Sequence, residues 1–494
     1  MLKELLNRKI SPSNIGEMFF LILLTAVSIF GYLLNSESVI AYCVLFLLVR
    51  CVVYGVRGEL NYNITFLAFL LAYFTFLLTR IIFPLFFNTD QLALDLGETV
   101  FKTEINVFVN LALYIALLSV YLGYRLSFTA NNKSKESVIP FYESMSVRRV
   151  RKISKYAAIL FSLFAFLSVI DQVRYVLTYG YLDFYLNYKS SIPYIFVFLG
   201  TFFDYFVMFF LATMPSKKEA RWIIIIYLLV NITSIGMGQR GGAVLSIIFV
   251  ISYFFIRNRI NPGRKPWIGK RGIVTLVLLI PVLISFLFLV SFIRSDREYD
   301  GNGSTNLIVN FFYQQGVSVN VLGYAKKFDN ILPDGKLYSA GKIIDFVNHN
   351  AISQVLFDSE PVKPQTVEHA MNDHTLHAAL TYLGSPNLYF SGGGYGGCYI
   401  ADLWVDFGFV GIVVGSLIFG VCLANIRKWC SQSFWRASVG LLMYTNIIFA
   451  PRSNFIDFIY VFVPITAIIS FTIVFFVKNK IIIKNGKQNS ISHC

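Results

Sequence analysis

Apolar runs of membrane length recur along the whole chain, separated by short polar links. Twelve stretches stand out, at residues 17–35, 38–56, 64–87, 105–127, 154–173, 192–214, 222–237, 242–256, 273–293, 396–424, 437–450 and 455–477. Most approach the roughly 20 residues an α-helix needs to cross a hydrocarbon core of about 30 Å. A transmembrane barrel would instead show short segments alternating apolar and polar positions, and the chain has none. The pattern predicts an all-α polytopic membrane protein with about 12 transmembrane helices.

Composition agrees. Of 494 residues, 56% are hydrophobic and only 14% charged, against about 25% charged in a soluble domain. The net charge of +15 would suit nucleic acid if it formed a patch, but it is sorted by loop. With the N-terminus inside, seven segments face the cytoplasm: 1–16, 57–63, 128–153, 215–221, 257–272, 425–436 and 478–494. Counting their edges, they hold about 29 of the 42 Lys and Arg and about 6 of the 27 acids, the bias by which positive loops stay inside. The basicity therefore sets topology, with both termini expected in the cytoplasm and no nucleic-acid partner. The first apolar run lacks a clear cleavage site and is expected to remain as a span. Of the six cysteines, only Cys398 falls near the outer face, so no disulfide framework is implied.

The expected organisation is a bundle of nine spans over 1–293, a large extracytoplasmic loop over 294–395, three further spans over 396–477 and a basic tail over 478–494. The loop carries helical periodicity at 306–328, 342–356 and 367–383, then closes with the glycine-rich run 385–397. A smaller acidic outward loop covers 88–104.

The chemistry concentrates at the outer ends of the spans. Arg80, Arg174, Arg240, Arg294, Arg297 and Arg452 all fall there. Arginine stays ionised in poor solvent, and its planar fork suits phosphate oxygens. A helix-end arginine that merely snorkels to headgroups is the plain alternative, and it fits Arg80 and Arg174 best. Arg240 is different. In G-M-G-Q-R-G-G (236–242) the helical pattern breaks and resumes at Gly242, leaving backbone N–H groups free at a helix start beside an arginine, which makes an anion seat. P-R-S-N (451–454) repeats the device with Pro451 and Arg452.

Proton transfer could fall to the loop histidines or to the acids of the tenth span. H-A-M-N-D-H-T-L-H (369–377) places His374 and His377 on adjacent turns if the helix is continuous. His369, Asp373 and His377 share i, i+4 spacing, yet no second carboxylate or cysteine completes a metal set, so no metal and no cofactor is expected. Asp402 and Asp406, four apart, share one helix face; pairing with the outer arginines is their bland explanation. G-G-G-Y-G-G (392–397) formally matches a dinucleotide fingerprint but follows no βαβ unit. A close-approach loop over a substrate suits it better, with Tyr395 in contact. Arginines, acids and aromatics at an outer cavity suit a lipid bearing phosphate and sugar.

Three motifs, Q-Q-G-V-S (314–318), G-Q-R-G-G (238–242) and L-Y-F-S-G-G-G-Y-G-G-C-Y-I-A-D-L-W-V-D-F-G-F-V-G-I (388–412), give the chain its resemblance to the bacterial polysaccharide repeat-unit polymerases of the O-antigen polymerase (Wzy) type. Where relatives often read G-S-S-Y-I-A-E, this chain has Gly397-Cys398 and Asp402. The resemblance implies a GT-C-like glycosyltransferase of the bacterial cytoplasmic membrane. It would move a growing glycan from undecaprenyl diphosphate onto a sugar hydroxyl of the next lipid-linked repeat. A flippase and a chain-length regulator of the same pathway are the implied partners. On that reading Arg240 seats a diphosphate, with Arg80, Arg294, Arg297 and Arg452 assisting. His374, His377 or Asp402 handles the proton, and Gln239, Tyr395 and Asp406 contact the glycan. A ligase using the same donor and a flippase of the same lipid are the competing functions; a flippase is disfavoured because the charges cluster at one face and no internal repeat is visible.

Overall fold

The computed structural model describes residues 12–58, 60–87, 89, 101–131, 141–260, 265–269, 271–275, 278, 307–349 and 362–489. Among them there is no strand. The principal helices are α1 (Pro12–Leu33), α2 (Glu37–Arg57), α3 (Leu60–Leu85), α4 (Thr103–Asn131), α5 (Met145–Tyr179), α6 (Tyr194–Ala212), α7 (Lys217–Met237), α8 (Gly241–Ile260), α9 (Tyr399–Gln432), α10 (Phe434–Phe449) and α11 (Ile465–Asn489). Large apolar side chains such as Phe19, Leu33, Leu163 and Val410 lie well exposed on the outside. An apolar exterior over whole helices is what a lipid solvent requires.

Nine of these helices, α1 to α9, are long and apolar enough to cross a membrane among the described residues. The expected ninth stretch, 273–293, lies almost wholly outside those residues, as do Arg294 and Arg297. The eleventh is α10, a helix of 16 residues. The twelfth does not run through. Residues 450–464 form a link holding only the short turns Ala450–Arg452 and Asp457–Tyr460, and α11 starts just past Pro464. Pro451 and Pro464 each remove a backbone donor, which keeps the link from closing into a helix.

Five of the seven segments expected inside meet at one end of the bundle, where Glu17, just past the first, and Lys478, at the start of the last, also make contacts. Glu17 binds Arg50 and Arg125, each at 2.8 Å. The Arg259 and Arg427 guanidinium groups both lie 4.2 Å from the Tyr62 ring. Arg151 pairs with Glu219 at 3.7 Å, Arg257 donates to the Pro215 carbonyl at 2.9 Å, and Lys478 lies 5.7 Å from the Trp435 ring. This is the basic end; the large loop caps the other.

The tightest packing is α9 on α4. A Cβ on Gly420 would overlap the Val120 carbonyl, and one on Gly123 the Leu417 carbonyl, so two glycines let the backbones touch, as small residues do between helices in lipid. Thr65 of α3 adds a bond to the Leu423 carbonyl at 2.9 Å.

The expected tenth crossing, 396–424, is corrected. Gly408 sits at φ 60, ψ −150 inside α9, a backbone state open almost only to glycine. The Tyr399 and Phe419 rings are 5.0 Å apart, and the Tyr399 hydroxyl is 3.3 Å from that of Ser416. A continuous helix would separate residues 399 and 416 by about 25 Å. The chain therefore reverses at Gly408. An arm of residues 399–407 rises toward the loop end, and residues 409–432 run back as the membrane-length helix. The glycine-rich run before the arm is thereby drawn down into the bundle, where Cys398 and Tyr399 are fully buried.

Candidate functional site

The rising arm brings Asp402 against the link between α10 and α11. Asp402 is buried, and its carboxylate accepts the Phe455 N–H at 2.9 Å. Asp457, also buried, accepts the Asn454 N–H at 3.3 Å and the Ser453 hydroxyl. Its other oxygen holds Lys342 Nζ at 2.8 Å, and that ammonium lies 4.8 Å from the Tyr460 ring. Lys342 comes from the loop helix Gly341–His349. One short link thus joins two carboxylates of the bundle to a cation of the large loop. Gly397 passes so close to the Ser453 backbone that a Cβ there would stand 3.0 Å from its carbonyl carbon.

The expected continuous helix over 367–383 breaks at residues 373–375, between helices Val367–Asn372 and Leu376–Gly384. That break separates the histidines. His374 falls in it, packed on Gly341. Asp345 holds it twice, accepting the His374 backbone N–H at 3.0 Å and facing its ring Nδ1 at 3.0 Å. His369 Nδ1 lies 2.8 Å from the Tyr389 hydroxyl, which donates to the Thr366 carbonyl at 3.0 Å. The hydroxyl's single proton is therefore spent, and His369 Nδ1 must carry its own hydrogen.

Asp373 lies 3.3 Å from His349 Nε2 and 3.9 Å from His369 Nε2. Burial first, and Asp345 second, hold its carboxyl above the usual range. His377 does not join it in a metal set as the i, i+4 spacing allowed. The donors that come together are Asp345, His349 and Asp373, whose ligand atoms all lie within 4.8 Å of one another; these three could hold a divalent ion. His377 instead lies within the electrostatic reach of His369, Lys342 and Asp457. Burial, with the charges of His369 and Lys342, pushes it down to about 4, so its ring is neutral at physiological pH. Its buried Nδ1 has no partner among the described residues.

The 236–242 motif and Arg452 meet at one pair of aromatic rings, Phe76 and Phe449. The 236–242 motif breaks as expected: a short turn Ser234–Met237, Gly238 at φ 77, then α8 from Gly241. A Cβ on Gly241 would meet the Phe449 ring at 3.4 Å. Phe449 packs on Phe76 with centroids 5.9 Å apart, and Arg452 lies 5.5 Å over Phe76. Gly241, the residue after Arg240, and the Arg452 guanidinium thus approach the same pair of rings. Arg80, one turn on from Phe76, donates through Nε to the Tyr313 carbonyl at 2.9 Å. Phe76 itself lies in a π-helical turn, Phe74–Leu78, a distortion common at functional positions. Gln239 donates to the Tyr185 hydroxyl at 3.1 Å. Arg174 is exposed on α5. Asp406 turns away from the arginines and caps the turn Tyr338–Ala340, accepting the Tyr338 and Ser339 N–H groups at 3.0 and 2.6 Å. Tyr395 stacks on Tyr324 at 4.4 Å.

One link carries both Arg452, over the Phe76 ring, and Asp457, on Lys342, a pairing of cation and carboxylate whose chemistry suits binding an anion and taking up a proton. A family model for the O-antigen polysaccharide polymerase Wzy matches residues 17–485, nearly the whole chain. The chain belongs to the Wzy family. No curated protein and no solved structure matches it. Membership of the Wzy family makes it a multi-pass membrane polymerase of the glycosyltransferase type, acting on lipid-linked oligosaccharide repeat units.

In this Wzy chain the residues that sequence reasoning missed are Lys342, Asp345 and Asp457. Asp457 carried a readable signal, an acid inside an otherwise apolar stretch, which marks a functional candidate by default. Lys342 and Asp345 carried none, because only the folding of the loop onto the link gives them partners.

Proposed function

We propose that the chain extends O-antigen or capsular-type polysaccharide. It transfers a glycan from undecaprenyl diphosphate to a sugar hydroxyl of the next lipid-linked repeat, on the outer face of the cytoplasmic membrane, within a GT-C-like frame of about 12 crossings. The observation that carries this reading is the 450–457 link, which holds Arg452 beside Phe76 and Asp457 beside Lys342 in a chain of the Wzy family.

In the step, the bond from the anomeric carbon to the diphosphate oxygen breaks as the acceptor oxygen bonds to that carbon. The departing diphosphate gathers negative charge. Arg240 and Arg452, with Arg80 behind them, are set to stabilise it, and fixed cations in a dry site act strongly on developing charge. The acceptor hydroxyl gives up its proton to His374. Asp345 takes the hydrogen on Nδ1 and leaves Nε2 as the acceptor, the way a carboxylate orients a catalytic imidazole. His377, at about 4, is too weak a base for neutral pH and serves as a neutral hydrogen-bond acceptor for the glycan. Asp402 and Asp457 position the link.

The test incubates the purified protein with cognate lipid-linked repeat units and looks for a ladder of lengthened glycans. His374→Ala and Asp345→Asn should each cut extension by about 10²-fold or more, and the double variant should lose little beyond either one. A folded protein that yields no ladder sinks the polymerase reading, and single transfers without a ladder mark a ligase. Chelation should leave the rate unchanged. Loss on chelation, restored by a divalent ion, would reassign Asp345 to a metal held with His349 and Asp373.

A further inference from the structure

At the basic end, away from the site above and independent of its reading, Lys217, Lys218, Arg221, Arg257 and Lys265 line one cavity of about 420 Å³, closed on one side by Trp267. Among the described residues no carboxylate lines it. Glu219, on the same turn of α7, is committed elsewhere: it closes the capping box with Ser216 and pairs with Arg151.

The cavity is built rather than incidental. Residues 265–269 form a strap pinned across the ends of α7 and α8. Lys217 Nζ donates to the Trp267 carbonyl at 2.6 Å, Asn258 donates to the Ile268 carbonyl at 3.1 Å, and the Trp267 N–H donates to Asn258 Oδ1 at 2.6 Å. Under the strap lies Arg257, only 3% exposed. Its guanidinium stacks 5.2 Å from the Trp267 ring and gives one N–H to the Pro215 carbonyl at 2.9 Å. Its Nε and Nη1 are buried with no acceptor among the described residues. A buried guanidinium left with unmet donors is costly, and four further cations around it raise that cost. An anion with several oxygens relieves both.

We propose that this cavity binds a phosphate group, with Arg257 as the buried anchor and Lys218, Arg221 and Lys265 as its rim. Arginine's donors match phosphate oxygens, and the lysines add charge without demanding geometry. The phosphate is carried either by an anionic phospholipid of the leaflet at the basic end or by a soluble phosphate compound. Its binding ties the strap to α7 and α8.

The experiment uses the full chain in two arms. In the first, protein in nanodiscs of mixed phosphatidylglycerol and phosphatidylcholine is released and its retained lipids are weighed by native mass spectrometry. In the second, protein in neutral detergent is heated with and without inorganic phosphate, at constant ionic strength. Three forms are compared: the natural chain, Lys218→Gln/Arg221→Gln/Lys265→Gln, and a control, Arg148→Gln/Lys152→Gln, whose exposed charges lie outside the cavity. Retention of phosphatidylglycerol about tenfold over phosphatidylcholine, lost in the triple variant and kept in the control, supports the site and assigns it to lipid. A rise of several degrees with inorganic phosphate, lost only in the triple variant, supports it and assigns it to a soluble phosphate. Equal behaviour of natural chain and triple variant in both arms overturns the proposal. So does an equal loss in the control, because the effect then belongs to the diffuse charge of that face.

Discussion

At the basic end, Glu17 lies between Arg50 and Arg125, 2.8 Å from each, and also accepts the Tyr121 hydroxyl. At the loop end the ratio is inverted: Asp402 and Asp457 are both buried, and one lysine, Lys342, reaches Asp457 while Asp402 accepts a backbone N–H. The first cluster joins Glu17 of α1 to Arg50 of α2 and to Tyr121 and Arg125 of α4, all within the bundle, and both carboxylate oxygens have donors. The second takes its cation from a distant loop and its second carboxylate from an arm that had to reverse at Gly408. A buried charge fully matched by its own scaffold holds a fold together; buried carboxylates with one borrowed cation are arranged for something that arrives. On the proposed function, the comparison separates structural from functional ionisable groups in a molecule where hydropathy treats both as exceptions.

Removing the borrowed contact is the hardest blow to the second cluster. Asp457→Asn keeps the size of the side chain and takes away the charge that seats Lys342. The loop should lose its register on the link, and extension should fall by about 10²-fold, the scale of a misplaced constellation. Thermal stability should change by no more than a few degrees. A large stability loss with normal turnover per folded molecule would move Asp457 into the class of Glu17. The converse test is Glu17→Gln, which strands two arginines. Unfolding in detergent should become easier by about 2–4 kcal/mol, with turnover per folded molecule unchanged.

Arg240→Lys tests the 236–242 motif. The charge remains and the fork is lost, so extension should drop by about tenfold or more in the ladder assay. Unchanged activity would leave Arg240 as an anchor of the break at Gly238 and no more.

How far these clusters could be read from the chain follows from what each one depends on. The Glu17 cluster lies at helix ends that the alternation of basic loops already places together, and the motif at 236–242 is a local break of turn, glycine and helix start that local residues determine. The reversal at Gly408 was not legible. Apart from Asp402, Asp406 and Ser416, residues 399–424 are apolar or glycine, and hydropathy carries no sign for chain direction; a single positive φ decides it. The histidine run failed for a related reason. Its i, i+3 and i+4 spacings were read on one helix, but Asp345, from 30 residues upstream, holds the His374 and Thr375 side chains at the break. Local periodicity cannot anticipate a partner that arrives from another segment.

The smallest expected effect lies on His377. Its folded value of about 4 stands below the ordinary 6.5, first because of burial and then because of the charges of His369 and Lys342, with Asp457 opposing. Between those values the unfolded chain binds a proton that the folded protein refuses, so stability falls as pH drops through 6.5 and levels off near 4. The residue as a whole is half-buried rather than buried, so the loss should be on the order of 1 kcal/mol after solvent screening. His377→Gln removes the titrating group, and the difference in unfolding free energy between the two proteins should shrink with acidification over that window. The same substitution separates two roles. If His377 only accepts a hydrogen bond from the glycan, the glutamine oxygen replaces it and extension at neutral pH stays within a few fold. If it is the base in place of His374, extension is lost. A folded His377→Gln protein without activity, beside a His374→Ala protein that still extends, would transfer the proton to the neutral imidazole next to Lys342.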